Sequence, residues 1–215
     1  LDYMQAKLVG FSFAITTDEA CYVPLNHDYE NAPQQLSFEE AFAIIQPILE
    51  NEKIKKVGQN LKYDYQVLKN AGITLRGIAA DSMLESYVYN STATRHDMDS
   101  LALKYLQHQT IKYEDVAGKG AKQLTFNQVS IEQAAPYAAE DAAIALELHH
   151  YFLSRLEEKP AQVLNEIEVP LITVLAEMEL NGVGVDKIQL QQQSTELGDR
   201  LKQLEAEIYQ LAGAI

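Results

Sequence analysis

The chain has 215 residues, 47% hydrophobic and 22% charged, a globular balance that excludes a disordered or low-complexity chain. Its formal net charge of −14, from 31 acidic and 17 basic residues, argues against a protein that coats nucleic acid through a basic surface. A single cysteine, Cys21, excludes a disulfide framework and a multi-cysteine metal site, and a reducing cytoplasm is the expected home. Residues 7–16 read as a strand from Leu8, Phe11, Phe13 and Ile15. Residues 20–25 read as a second strand after a turn at Thr17-Asp18-Glu19, with Cys21 expected as a small core residue. Ser37 is an N-cap candidate with Glu40 at capping-box spacing, and Ala41, Ile44, Ile45 and Leu49 give the helix after it an apolar face. A short buried strand at 55–58 precedes a helix over 60–70, closed by Gly72. A strand at 75–80 and helices at 81–89 and 97–106 follow; 113–127, with Gly118 and Gly120, reads as a loop, and 131–156 as one long helix. Strands alternating with helices make this part α/β with a mixed sheet.

After Glu157-Glu158-Lys159-Pro160 the character changes to two helices, 163–180 and 187–211, with no strand between them, so a domain boundary is expected near Pro160. The most apolar segment, 170–180, is broken by Glu177 and Glu179, and no stretch is long enough to span a bilayer. No signal peptide is visible. Leu1 is not a methionine and Ala214-Ile215 falls inside a helical pattern, so both ends read as cut.

Two stretches share one spacing. Asn60-Leu61-Lys62-Tyr63-Asp64 and Tyr137-Ala138-Ala139-Glu140-Asp141 each set a polar residue four before an aspartate. On a helix these project about 40° apart, toward one point in space. Hydrolysis of a phosphodiester by two divalent ions needs such carboxylates as hard oxygen ligands, and a tyrosine hydroxyl such as that of Tyr137 can orient the water. A solvated helix face is the plain alternative for either motif alone, and a complete site needs at least one further carboxylate. Eleven of the 17 basic residues fall between Lys53 and Lys122, and residues 53–76 carry a net +5, which suits a local phosphate-binding groove.

These residues carry a resemblance to bacterial DNA polymerase I, the family A polymerases. Val57-Gly58-Gln59-Asn60-Leu61-Lys62-Tyr63-Asp64 resembles the second motif of their 3′–5′ proofreading exonuclease domain, and Tyr137 to Asp141 the third. Arg95-His96-Asp97-Met98-Asp99-Ser100-Leu101 and the run from Gly118 through Phe126 are similar to further stretches of that domain. Glu168-Val169-Pro170-Leu171, with Gly182-Val183 and Asp186, resembles the entry to the polymerase thumb. The resemblance implies an RNase H-like exonuclease domain over 1–157, a mixed sheet flanked by helices, followed over 161–215 by the first thumb helices. It implies two Mg²⁺ or Mn²⁺ ions, with Asp64 and Asp141 as ligands and Tyr137 positioning the attacking water. It implies DNA as partner, a single-stranded or frayed 3′ end, contacted by Gln59, Asn60, Arg95 and Tyr113, with Leu1 wedged between the last bases. A soluble cytoplasmic monomer, with no membrane, is expected. The first motif, Asp-x-Glu, would lie just before Leu1, so the chain by itself is expected to be inactive. Two alternatives stay open: a catalytically inactive module supporting a polymerase, and a free-standing RNA exonuclease.

Overall fold

The computed structural model describes residues 3–92 and 95–213. Gly10–Thr16 (β1) and Glu19–Pro24 (β2) form an antiparallel hairpin across the predicted turn. Helix α1 (Phe38–Leu49) opens on the predicted capping box: Glu40 N–H donates to Ser37 Oγ at 3.2 Å, and Ser37 N–H to Glu40 Oε2 at 3.0 Å. Lys56–Gly58 (β3), α2 (Leu61–Asn70) and Ile78–Asp81 (β4) make a βαβ unit with β3 and β4 parallel. Gly72 closes α2 with φ +89°. Among the described residues the strands therefore pair as two ladders, one antiparallel and one parallel.

Asp81 caps α3 (Ser82–Tyr89). Helix α4 (Met98–Leu101) runs into a π-turn over Ala102–Leu106, so the expected 97–106 helix changes pitch midway. The stretch read as a loop contains α5 (Tyr113–Ala117) and two 3₁₀ turns, Gly120–Lys122 and Phe126–Gln128. Helix α6 (Ile131–Leu153) packs against β1, β2, β3 and α3. Helix α7 (Glu158–Val163), a π-turn over Leu164–Glu168 and α8 (Val169–Asn181) follow.

The main core gathers Phe11 of β1, Ala41, Ile45 and Leu49 of α1, Leu61, Tyr65 and Leu68 of α2, and Ala176 of α8. Burying such side chains is worth about 1.5–3 kcal/mol each for the larger ones, which fixes α2 between the hairpin side and α8. A second cluster joins Leu101 and Ala102 to Ile144, Leu148 and Phe152 of α6. Cys21 is exposed, against expectation: it lies toward the turn end of β2, where Glu19 and Ala20 are exposed as well.

The chain divides into two compact units. The first runs through Leu180, past the Pro160 boundary expected from sequence, because Ala176 is fully buried in the main core. The second, from Asn181, consists mainly of α9 (Lys187–Ala212), capped by Asp186 and closed by Gly213 at φ 66°. No described helix is long and apolar enough to cross a membrane.

Candidate active site

The first motif is shaped at the turn between β3 and α2. Asn60 adopts a left-handed conformation, φ 59° and ψ 45°, a state that costs a non-glycine residue on the order of 1 kcal/mol or more. Asp81, only 1% exposed, holds it there. Its Oδ1 accepts the Asn60 N–H at 3.0 Å and the Met83 N–H at 3.0 Å, and its Oδ2 the Leu61 N–H at 2.7 Å. One buried carboxylate thus anchors the start of two helices. Gly58 lies close beside it: a Cβ there would fall 2.4 Å from Leu61 Cδ2, so the leucine side chain would have to move. Gln59 is engaged within the protein: its Nε2 donates to the His96 carbonyl at 2.9 Å, and its Oε1 accepts from the Ser82 hydroxyl. The Asn60 side chain is exposed.

Asp64 follows one turn into α2. It is open to solvent by surface area yet has protein packed around it. Desolvation raises its carboxyl to about 6, and the negative charge of Asp81 adds to the rise.

The other motif lies on α6, where Tyr137 and Asp141 stand one turn apart, both half-buried. Desolvation, with the charges of Asp99 and Glu140, raises Asp141 to about 7, against a hydrogen bond from Tyr137 that favours the carboxylate. The Tyr137 hydroxyl is itself pushed up, first by burial and then by Asp141, so it remains an O–H donor at neutral pH. Glu140 accepts the Ile111 N–H at 2.6 Å and meets His108 Nε2 at 2.8 Å, which holds the 108–111 segment against α6. Asp99 accepts from the Thr110 hydroxyl at 2.7 Å on the same segment. The Tyr113 ring lies edge-on to Tyr137, centroids 6.2 Å apart, and its hydroxyl donates to the Leu124 carbonyl at 3.0 Å.

The structure therefore groups Tyr137, Asp141 and Tyr113 around α6, and Gln59, Asn60 and Asp64 around the start of α2. Arg95 has an 87% exposed side chain whose Nε sits 3.2 Å from Asp97 Oδ2. Leu1 lies outside the described residues. Asp81 is a contributor not singled out from the sequence, and Asp99 and Glu140, which lie within the motifs, had no role assigned there. Asp81 fell at the start of the expected 81–89 helix, but its reach back to Asn60 is tertiary and left no local mark.

The expected basic groove is a correction. Lys62 pairs with Glu179, Lys69 with Glu177, Arg76 with Glu52 and Lys119 with Glu114. Lys56 Nζ donates to the Asn51 carbonyl at 2.6 Å. Three of the six cations in 53–76 are ion-paired, two of them by Glu177 and Glu179 brought in by the fold, which a linear charge count does not see.

Among the described residues no three histidine, cysteine, aspartate or glutamate side chains converge to hold an ion, and no lysine or arginine ion-pairs with Asp64 or Asp141. Both carboxyls are raised by burial first and by neighbouring negative charges second. Hard oxygen donors in that condition fit a divalent cation as part of a ligand set.

The α/β arrangement is that of an RNase H-like exonuclease. A 3′–5′ exonuclease family model matches residues 1–157, and the chain belongs to that family, the exonuclease domain of family A DNA polymerases. It is 56% identical to DNA polymerase I of Pseudomonas aeruginosa over 99% of this chain and 24% of that one. It is 42% identical to DNA polymerase I of Rhizobium leguminosarum over 99% of this chain and 23% of that one. The chain thus spans about a quarter of these relatives' length. Among solved structures, the POL domain of Pol1 from M. smegmatis, in complex with DNA primer-template and dNTP, aligns with TM-score 0.67 and 23% identity over 83% of this chain and 28% of that one. Brucella melitensis NrnC aligns with TM-score 0.64 and 18% identity over 87% and 84%. At these identities the likeness to both is one of fold.

Proposed function

We propose that this chain is the proofreading part of a DNA polymerase I, removing nucleotides from the 3′ end of single-stranded or frayed DNA as nucleoside 5′-monophosphates. The single observation that supports it most is the Tyr137–Asp141 pair on α6, a protonated hydroxyl beside a carboxyl raised to about 7 and without a cationic partner among the described residues. Asp64 and Asp141 would each hold one of two Mg²⁺ or Mn²⁺ ions, which when bound neutralise charge on the attacking and leaving oxygens of an in-line displacement. The Tyr137 hydroxyl orients the attacking water. The water gives up a proton to solvent as its oxygen bonds to the terminal phosphorus, the bond to the preceding 3′-oxygen breaks, and that oxygen takes a proton from solvent and leaves as a 3′-hydroxyl. Asn60, held outward by its left-handed backbone, contacts the last nucleotides; Gln59 fixes the turn beneath it and ties it to the segment carrying Arg95. Tyr113 and Arg95 complete the strand contacts, with Leu1 as the wedge.

The exonuclease domain is assigned to 1–157 and the start of the polymerase thumb to 161–215, in a parent that also polymerises DNA. A 5′-labelled single strand incubated with the full-length protein and Mn²⁺ should shorten stepwise from its 3′ end. An uncut strand would support instead an inactive module.

A further inference from the structure

Helix α2 presents three faces. Leu61, Tyr65 and Leu68 enter the main core, where Ala176 of α8 meets them. Lys62, Tyr65, Gln66 and Lys69 recur every three or four residues along another face, and Asp64 points about 150° away from their centre. All four reach a carboxylate of α8. Lys62 Nζ donates to Glu179 Oε1 at 2.5 Å and Gln66 Nε2 to Glu179 Oε2 at 2.7 Å. The Tyr65 hydroxyl donates to Glu177 Oε1 at 2.7 Å, and Lys69 Nζ pairs with the same oxygen. The hydrogen bonds from Lys69 and Lys62 hold Glu177 and Glu179, respectively, below the usual carboxylate range. The paired lysines and glutamates are 35–39% exposed, so the contacts are modest and weakened by salt.

We propose that Glu177 and Glu179 are positioning residues: α8 clasps the back of α2 and sets the seat from which Asp64 faces the site. The proposal rests on the exonuclease reading and deepens it. The family match ends at residue 157, so the clasp is supplied by chain outside the matched region. A carboxylate offered to a metal from a helix that rocks binds it less well, because part of the binding energy goes to fixing the helix.

The test is the double variant Glu177→Gln with Glu179→Gln in the full-length protein, which keeps the shape of α8 and removes both charges. The Mn²⁺ midpoint for digestion of a 3′-labelled single strand should rise roughly threefold to tenfold. Amide exchange should quicken over 61–70 and stay unchanged over 131–153. Lys62→Glu alone should raise the midpoint, and joining it to Glu179→Lys should bring it back. An unchanged midpoint with unchanged exchange would overturn the proposal, as would faster exchange throughout, which marks a general loss of stability. If the wild-type protein digests nothing, the exonuclease reading fails, while the exchange comparison still decides the clasp.

Discussion

Asp141 takes up its proton more tightly in the folded protein than its ordinary value, at about 7, because burial and the nearby acids disfavour its charge. For the metal-free protein the sign follows: this contribution to stability is full below about pH 4 and is lost as pH rises through about 7. Asp141→Asn should therefore raise the Tm of metal-free protein at pH 8 by roughly 2–4 °C, what about 1 kcal/mol does in a chain this size, and change it little at pH 4. Thermal melts at the two pH values check this; equal shifts would remove the assigned cause. Mn²⁺ affinity should weaken as pH falls from 8 to 6, because protons compete at Asp141 and then at Asp64. Tyr137→Phe keeps the ring among Tyr113 and Phe126 but removes the O–H. Its kcat should drop roughly a hundredfold with KM little changed, read from initial rates on a single strand. The pairing of Tyr137 with Asp141 was legible in sequence because a four-residue spacing is local to one helix. The raised carboxyl was not, since it depends first on burial and then on Asp99, both set by the fold.

At the scale of elements, Asp81 joins β4, α3 and the start of α2. Asp81→Ala would leave the Asn60, Leu61 and Met83 N–H groups without their acceptor. Unfolding in urea should show a loss of about 2–4 kcal/mol, and a loss under 1 kcal/mol would mean that water replaces the carboxylate without cost. The α1 capping box was legible because both partners lie within four residues. Helix α5 was not. Its short helix is set by packing of Tyr113 and Val116 around Ala117 and fully buried Val129, not by periodicity. The strand expected at 75–80 begins later, at Ile78, because the chain before it is tied to the end of α1: Arg76 N–H donates to the Leu49 carbonyl at 2.9 Å and Thr74 N–H to Glu50 Oε1 at 3.0 Å. Ile73 and Leu75 are buried there by packing, which their apolar character announced without revealing which backbone bonds they would accompany.

Over the whole molecule, the −14 charge and the internal pairing of Lys62, Lys69 and Arg76 weaken the positive potential around α2. Exposed Lys53 and Lys55 remain near α2 in sequence. Binding to a single strand should therefore depend only weakly on salt, with a slope of log K against log salt of about −1 to −2, as for two or three phosphates on a single strand. A steep slope would point to an extended DNA track. The proposed role of Asp141 in 3′–5′ exonucleolysis is tested by comparing the full-length protein with its Asp141→Ala variant on a 3′-labelled single strand in Mn²⁺. The wild type should release labelled nucleoside monophosphate and the variant essentially none; undiminished release by the variant would overturn that role.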